Sequence, residues 1–443
     1  MLKRKIEEKL NRYYKDDNAR ILVIEGARQI GKTFIIRNTA KSRYKNYIEI
    51  NLKVDFDGFR MFDKINIRST EEFYNTVIAY CRKDLGNLHD TIIFLDEIQV
   101  YPHLISLLKP LRDENKYKFI CSGSLLGVTM NTPSTFIPMG YIEEVKMFPL
   151  DFEEFLWANN VSQIIINESY NCFINVKQIP LSYHNLLMKY FRMYLMCGGL
   201  PAAVNDFLLG KYIKVEETLE GIFNYYKIDA SQYDKEHKLK IMNIYDLLPS
   251  YMENKVKRMK VSDIENKKRD FNYYLDEFNY LLDSGIALGV KAVSNPIFPL
   301  LTSKSKNLIK LYFNDVGILS HILLGNRTVE LLNGNLNINL GSIYETFVAQ
   351  ELNSHGFDLY YFDSKKVGEV DFLINYNKIL NVLPIEVKSN NANYNYRSIP
   401  KLVDKNGNYK LSMGYIFSND FNITTNNDIT KYPIYMVMWL KNK

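Results

Sequence analysis

Cysteine is scarce in this chain of 443 residues, and its four cysteines lie far apart in the sequence. They are Cys81, Cys121, Cys172 and Cys197. Because none has a neighbour at a metal-binding spacing, the sequence argues against a zinc site and against a disulfide framework. The six histidines form no His-Glu-x-x-His group. This cysteine pattern suits a reducing compartment, so we expect a cytoplasmic protein.

Long apolar runs are also missing. No stretch of about 18 apolar residues occurs, so we expect no membrane-spanning helix and no membrane partner. The first eight residues lack the apolar core of a signal peptide. The formal net charge of +6 is mild, which permits contact with nucleic acid but does not require it. A chain of this length is expected to form two to four domains, since one core rarely grows so large.

The most informative motif follows the apolar run 21–24. It fits the phosphate-binding pattern Gly-x-x-x-x-Gly-Lys-Thr, and its members are Gly26, Ala27, Arg28, Gln29, Ile30, Gly31, Lys32 and Thr33. Glycines let the backbone curl so that its N–H groups point at phosphate oxygens, and the following helix adds its positive end. We expect Lys32 to reach the β- and γ-phosphates and Thr33 to ligate Mg²⁺. The alternative is an ordinary strand–turn–helix junction.

A second apolar run, 91–95, ends in Asp96 and Glu97. A buried parallel strand delivers such carboxylates to its C-terminal edge, where Asp96 would hold Mg²⁺ and Glu97 would act as general base towards the attacking water. The alternative is a pair of helix-capping acids at a strand exit. The next predicted strand leads into Ser122 and Ser124, either of which is a candidate sensor of the γ-phosphate or part of an ST-turn. The order of elements predicts a doubly wound parallel sheet.

Several segments together resemble a prokaryotic AAA+-type ATPase family related to the archaeal and signal-transduction ATPases. They are the phosphate loop, Leu95–Gln99, Ser122–Ser124 and Phe148–Phe155. The resemblance implies ATP and Mg²⁺ as cofactors and a helical lid after the ATPase core. It also implies that Pro201, in the Gly-Gly-Leu-Pro segment 198–201, lies against the adenine. The alternative for that segment is a helix C-cap followed by proline.

One departure from that family concerns the arginine that would stabilise charge in the transition state. Members often have Gly-Arg before the Pro-Leu-x-Phe segment, but this chain has Gly140 and Tyr141. The sequence leaves Arg28 and Arg112 as candidates for this role.

The sequence divides into four predicted domains: an ATPase core 1–150, a helical lid 151–230, a winged-helix-like segment 231–300 and a nuclease-like domain 301–443. The winged helix is what the family resemblance implies for the third segment, which is rich in Lys and Arg. The run 286–293 would be one strand of its wing, and the basic residues would contact DNA phosphates. These residues are Lys255, Lys257, Arg258 and Lys260. The alternative is a solvated face that contacts nothing, or that contacts another protein.

The last quarter of the chain carries a predicted hairpin, 369–374 and 382–389, after a helix that holds Glu345, and further predicted strands at 413–417 and 435–438. Strand side chains alternate, so Glu386 and Lys388 share one face and the neighbouring strand brings Asp371 alongside. This pattern resembles the restriction-endonuclease-like PD-(D/E)xK superfamily. The resemblance implies Mg²⁺ or Mn²⁺ on Glu345, Asp371 and Glu386, with Lys388 orienting or deprotonating a water. The alternatives are a solvent-facing charge pair, or a related fold that only binds a partner.

The sequence therefore predicts an α/β protein whose ATPase gates a nucleic-acid-binding, metal-dependent nuclease-like domain. The alternative is an ATP-dependent switch protein, in which an inert nuclease-like domain binds a partner protein. A further alternative is a DNA-binding protein that uses only the basic middle segment. Oligomeric state, DNA sequence preference and pathway are not predicted.

Overall fold

The structure is a computed structural model, and it describes residues 2–124, 138, 140–233, 238–253, 259, 261–265, 269–333, 340–389 and 397–442. The chain divides into two compact units. The N-terminal unit is Lys3–Phe148 with Asp283–Gly285, and the C-terminal unit is Met1–Leu2, Pro149–Leu282 and Ile286–Lys443. Across the described ranges, no helix has both the length and the apolar character needed to cross a bilayer.

The N-terminal unit is a parallel sheet of five strands with helices. The strands are β1 Ile21–Glu25, β2 Asn46–Asn51, β3 Thr91–Asp96, β4 Lys118–Gly123 and β5 Ile142–Lys146. The helices are α1 Ile6–Lys15, α2 Lys32–Lys41, α3 Leu52–Asp57, α4 Thr70–Cys81 and α5 Pro102–Glu114. The strand order is β2-β3-β4-β1-β5, and every pairing is parallel. The predicted parallel sheet is confirmed.

Local sequence signals explain several boundaries in this unit. β1, β3 and β4 are buried along their whole length, as expected for strands covered on both faces. α4 begins with a capping box: the Ser69 hydroxyl accepts from the N–H of Glu72 at 3.2 Å, and the Glu72 carboxylate accepts from the N–H of Ser69 at 3.1 Å. Because β1, β3 and β4 run parallel, their carboxyl ends meet at one edge of the sheet. The predicted site residues lie at that edge.

The C-terminal unit begins with helices and ends in a mixed sheet. Its helices are α6 Phe152–Ala158, α7 Gln163–Asn175, α8 Leu181–Cys197, α9 Pro201–Leu208, α10 Tyr212–Tyr233, α11 Lys238–Glu253, α12 Ser262–Glu265, α13 Leu275–Asp283, α14 Val316–Leu324, α15 Glu330–Asn333, α16 Gly341–Ser354 and α17 Ser398–Val403. Its strands are β6 Ala287–Val293, β7 Lys304–Phe313, β8 Tyr360–Ser364, β9 Gly368–Tyr376, β10 Asn381–Lys388, β11 Gly414–Ser418, β12 Thr424–Asn426 and β13 Ile429–Pro433.

These eight strands form one sheet in the order β12-β13-β11-β10-β9-β8-β6-β7. β9 and β10 pair antiparallel, so the predicted hairpin is confirmed. α16 packs against β6, β7 and β10, while α17 packs against β9, β10 and β13. Residues of α17, including Ile399 and Leu402, join a core cluster with Val370 and Val382.

The structure corrects two strand predictions. The run 286–293 is not part of a separate wing, because β6 pairs with β7 on one side and with β8 on the other. The run 435–438 is not a strand, because Ile434–Trp439 forms a 3-10 helix directly after Pro433 ends β13. Every residue of that helix is buried, so its unbroken apolar run carried no alternation to separate strand from helix.

Candidate functional site

The phosphate loop of the N-terminal unit lies between β1 and α2. Gly31 precedes α2 with φ of 91°, a left-handed conformation that glycine adopts without steric cost. Gly26 has φ of 144°, and a side chain there would place its Cβ 2.2 Å from the Met147 carbonyl oxygen. Gln29, at φ of 67°, also adopts the left-handed region. The two motif glycines are therefore required by this backbone path.

Lys32 is buried within the loop that it follows. Its Nζ atom donates to the carbonyl oxygens of Gly26 and Ala27, at 2.8 Å each. The ammonium group therefore lies inside the curl of the loop, the place where the motif would bring a phosphate.

Asp96 ends β3 opposite the start of α2. Its Oδ2 atom accepts from the Thr33 hydroxyl at 2.9 Å, and its Oδ1 atom accepts from the Ser122 hydroxyl at the end of β4. Burial raises the pKa of Asp96, and the hydrogen bonds from Ser122 and Thr33 oppose that rise. Thr33 and Asp96, the two residues predicted to hold Mg²⁺, are thus in direct contact, with oxygen atoms that suit this hard cation.

Glu97 follows Asp96 in the left-handed region, at φ of 58°. Its Oε2 atom accepts from the Ser124 hydroxyl at 3.0 Å and from the side-chain amide of Gln99 at 2.5 Å. Arg28 donates from Nε to the Ser124 hydroxyl at 3.1 Å, and its guanidinium lies 4.0 Å from Glu97 Oε2. We call Arg28, Glu97, Gln99 and Ser124 the glutamate cluster. It links the predicted base to the phosphate loop.

Sequence reasoning missed two supports of the loop. The buried guanidinium of Arg4 donates to the Ile30 carbonyl at 3.2 Å and to the Phe148 carbonyl at 2.7 Å, and so holds the loop from the N-terminus of the chain. Gly285, at φ of 73°, approaches so closely that a Cβ there would lie 3.3 Å from the amide nitrogen of Ala27. Neither residue carries a local motif, and both contacts join distant parts of the sequence.

Of the two arginine candidates, Arg112 is wrongly placed for this chain's own loop. It donates to the carbonyl oxygens of Asn18 at 2.6 Å and Ala19 at 2.9 Å, just before β1 begins. That position is at the amino edge of the parallel sheet, whereas the phosphate loop leaves its carboxyl edge. Arg28 lies within the loop and contacts the glutamate cluster, so it remains a prediction for this role.

In the C-terminal unit, one face of the mixed sheet carries the predicted nuclease-like residues. Asp371 of β9 accepts from the backbone N–H of Val387 at 2.8 Å. Lys388 donates to Glu386 Oε1 at 2.7 Å, within β10. Glu345, from α16, accepts from the Tyr312 hydroxyl at 3.0 Å. The carboxylates of Glu345 and Glu386 both interact electrostatically with Asp371.

Lys310 and Glu369 extend this polar face and were missed from the sequence. The Lys310 side chain is fully buried and forms an ion pair with Glu369. Its Nζ atom also lies 4.6 Å from the centre of the Tyr361 ring. β7 lies at one sheet edge and is separated from β9 by β6 and β8. The two side chains therefore meet across the face of the sheet, a contact that no local sequence signal marks.

The electrostatics of this face are dominated by crowded carboxylates. Burial raises the pKa of Asp371 to about 7, and the charges of Glu345 and Glu386 act in the same direction. The pKa of Lys388 is raised, because its three acidic neighbours outweigh the effect of its burial. The Glu386 Oε2 atom is buried and has no hydrogen-bond partner among the described residues. This orphaned oxygen and the raised pKa of Asp371 both fit a divalent cation, which would neutralise the repulsion.

A preformed metal cage is not present in the described parts of the chain. No group of three or more His, Cys, Asp and Glu side chains there has a metal-holding arrangement. One oxygen of each predicted ligand is instead engaged by the chain itself, through Val387, Lys388 or Tyr312. The roles of Glu345, Asp371 and Glu386 as metal ligands therefore stay predictions.

The free energy of unfolding of the C-terminal unit should depend on whether Asp371 is ionised. Between the ordinary pKa of 3.8 and the raised value of about 7, the folded protein holds a proton that the unfolded chain has lost. Stability therefore falls as pH rises through this window. Asp371→Asn should leave the free energy of unfolding nearly unchanged at pH 4 and should raise it by about 1–3 kcal/mol at pH 8. Urea unfolding at both pH values measures this difference.

The exposed Asp358 supplies the matched control, since Asp358→Asn removes a carboxylate without removing a buried charge. A stability gain of Asp371→Asn that is equal at pH 4 and pH 8 would contradict the expected buried charge. Mg²⁺ at pH 8 should stabilise the unchanged protein and not the Asp371→Asn variant.

The glycine pair before Pro201 has a packing role inside the C-terminal unit. The N–H of Gly199 donates to Asp315 Oδ2 at 2.7 Å, and its carbonyl accepts from Leu150 at 2.7 Å. A Cβ on Gly198 would lie 1.9 Å from Asp315 Oδ1. Burial raises the pKa of Asp315 to about 6, and hydrogen bonds from the backbone N–H groups of Gly199 and Gly317 oppose that rise. Pro201 begins α9, and its place at the adenine stays a prediction.

The basic residues predicted to contact DNA cannot be placed. Lys255, Lys257, Arg258 and Lys260 all lie outside the described residues. Their role as a winged-helix surface therefore stays a prediction.

The N-terminal unit has the fold and the loop of a P-loop nucleoside triphosphatase. Residues 18–156 match the profile of a family described as AAA domain. Residues 188–329 match a domain of unknown function (DUF8612), and residues 340–436 match a second one (DUF4143). Each of these three profiles covers less than half of the chain.

Two uncharacterised proteins are similar to this chain. One, from Methanocaldococcus jannaschii, is 24% identical over 252 residues, which cover 55% of this chain and 51% of that protein. The other, from Haemophilus influenzae, is 24% identical over 209 residues, which cover 46% of this chain and 44% of that protein. The match thus spans about half the length of each relative.

Solved structures with similarity to this chain include a Walker-type ATPase of Pyrococcus abyssi. It has a TM-score of 0.42 and 15% identity, with 75% of this chain and 96% of that chain covered. The ORC2 protein of Aeropyrum pernix has a TM-score of 0.33 and 11% identity, with coverage of 74% and 92%. These scores are too low to bear on function.

Proposed function

We propose that the N-terminal unit binds and hydrolyses ATP, and that this cycle controls how the C-terminal unit engages DNA at a metal-dependent nuclease-like site. The observation that carries the first part is the meeting of Lys32, Thr33 and Asp96 at one sheet edge. Glu97 follows Asp96 directly and is already hydrogen-bonded. This is the set of groups that phosphoryl transfer to water needs: a cation for the phosphates, ligands for Mg²⁺ and a base.

The second part is supported by the charged face of the mixed sheet. Mg²⁺ or Mn²⁺ on Glu345, Asp371 and Glu386 would polarise the scissile phosphate and lower the pKa of a bound water. Lys388, already paired with Glu386, would orient that water. Control by ATP is proposed because both units share one chain, and it amounts to a coupling free energy between two sites.

A switch protein without nuclease activity is the second candidate. It is favoured by the hydrogen bonds that the chain itself makes to each predicted metal ligand, as expected for a closed face that need not hold a cation. In that case ATP would control the binding of a partner protein. The four cysteines are all free, which supports the proposal of a reducing, cytoplasmic setting for either function.

One assay on the full-length protein separates the two candidates. ATP turnover and cleavage of plasmid and linear DNA are measured with Mg²⁺ or Mn²⁺. Lys388→Ala should abolish cleavage at unchanged turnover, because its lysine touches only the nuclease-like face. Lys32→Ala should abolish turnover and remove any ATP dependence of cleavage. Lys405→Ala, which removes an exposed ion pair with Asp428, should change neither activity.

Turnover without cleavage in the unchanged protein would support the switch. Absence of turnover would overturn both candidates. Cleavage that persists undiminished in Lys388→Ala would rule out this face as the nuclease site.

A further inference from the structure

Gln99 is the member of the glutamate cluster that neither the phosphate-loop motif nor the acidic strand explains. It lies in the 3-10 helix Ile98–Val100, immediately after Glu97. The backbone there is pinned, because the N–H of Val100 donates to the Glu97 carbonyl at 3.0 Å. This turn of the backbone places the Gln99 side chain next to the carboxylate of Glu97.

The hydrogen bonds of the Gln99 amide determine which way it faces. Its nitrogen donates to Glu97 Oε2 at 2.5 Å and to the Ser124 hydroxyl at 3.3 Å, which uses both N–H groups. A flipped amide would set its carbonyl oxygen against the carboxylate of Glu97. The flipped orientation is therefore unfavourable, and the amide keeps its nitrogen on Glu97 with the Oε1 atom turned away from that carboxylate.

The Ser124 hydroxyl is also fully used. It donates to Glu97 and accepts from both Arg28 and Gln99. A hydroxyl has one hydrogen and two lone pairs, so this network is complete at Ser124.

The Gln99 Oε1 atom is the remaining acceptor of this amide. It is buried and has no hydrogen-bond partner among the described residues. A buried amide oxygen without a donor is costly, so such atoms are normally satisfied by a ligand or a water. This oxygen belongs to the same amide whose nitrogen donates to Glu97, the predicted base.

We propose that Gln99 is a positioning residue for ATP hydrolysis, which holds Glu97 through its nitrogen and orients the attacking water through Oε1. This inference rests on the proposed ATPase function and adds a residue to it. The water oxygen bonds to the γ-phosphorus while the bond from that phosphorus to the bridging oxygen breaks. Glu97 takes the water proton and later releases it to solvent, so that ATP and water give ADP, phosphate and a proton.

The same geometry explains why Glu97 can keep its left-handed backbone. A non-glycine residue in this region is strained, and such strain persists only where surrounding contacts hold it. Gln99 and Ser124 provide these contacts through the side chain of Glu97.

The test is single-turnover hydrolysis of ATP by the full-length protein with Gln99→Met, which keeps the volume and loses the amide. The hydrolysis rate should fall about 10–100-fold, while ATP affinity stays within about twofold. The loss should therefore fall on the hydrolysis step and not on ATP binding. A purely structural role would not produce this split between rate and affinity.

Asn46→Ala is the matched control. Asn46 donates to Thr91 at the start of β3, at the other end of the strand that carries the acids. It should lower thermal stability and leave both the hydrolysis rate and the ATP affinity unchanged.

The outcomes separate the inference from the proposed function. An unchanged hydrolysis rate in Gln99→Met, with turnover by the unchanged protein, would overturn the inference alone. Absence of turnover in the unchanged protein would overturn the proposed function and this inference with it. A loss of rate that is accompanied by an equal loss of ATP affinity would show that Gln99 shapes the binding site, and would also overturn the inference.

Discussion

Glu97→Gln should lower the rate of ATP hydrolysis by about 10²–10⁴-fold, the usual contribution of a general base. Binding of Mg²⁺-ATP should stay within a few-fold, because the change keeps the side-chain shape and leaves Lys32, Thr33 and Asp96 intact. The glutamine oxygen still accepts a hydrogen bond from Ser124 or Gln99, as Glu97 Oε2 does now. Phosphate release measures the rate, and titration calorimetry measures the binding.

Glu49→Gln is the matched control for this variant. Glu49 lies in β2 of the same sheet, where it pairs with Arg37 and accepts from Tyr47. Its replacement should affect stability and leave hydrolysis unchanged. Wild-type turnover in Glu97→Gln would show that the base is another group, and the role assigned to the acidic strand would be wrong.

Gly199→Ala should destabilise the C-terminal unit by about 3 kcal/mol or more. The new methyl group would lie 2.0 Å from the Leu150 carbonyl oxygen, which is backbone and cannot rotate away. Overpacking of this kind usually costs about 1–3 kcal/mol, and more where the neighbour is rigid. The shift would also break the hydrogen bond from Gly199 to the buried Asp315. Urea unfolding of the full-length protein measures the change.

Gly221→Ala serves as the control, since Gly221 lies within α10 and, apart from its own stretch of helix, no described residue comes within 4 Å of the position that a Cβ would take there. Alanine is the better helix former by about 1 kcal/mol, so this variant should be neutral or slightly stabilising. Equal effects of the two substitutions would contradict the close approach of Gly199 to Leu150.

The sequence could predict the phosphate loop because its geometry is local. Two glycines and the start of a helix, all within 26–33, determine how that backbone curls. The position of Asp96 at a strand exit was predictable for the same reason, since an apolar run with an acid at its end has few other uses. The support from Arg4 was not predictable, because it reaches the Phe148 carbonyl 144 positions away.

In the C-terminal unit the hairpin of β9 and β10 was predictable from two alternating runs and a short link. The place of β6 was not, because the run 287–293 reads equally well as a wing or as a strand of a larger sheet. Its parallel partner β8 is about 70 residues later in the chain, and no local signal encodes that pairing. The 3-10 helix 434–439 was misjudged because burial on all sides removes the alternation that marks a strand.

The amino-acid sequence by itself determined which short segments curl, extend or coil, and which of them end in acids, lysines or glycines. Those properties arise from backbone sterics and side-chain periodicity, which act over a few residues. The tertiary structure alone decided which distant groups meet: Gln99 with Ser124, Lys310 with Glu369, Gly199 with Asp315. Such contacts depend on strand order and on close packing, and these are properties of the whole folded chain.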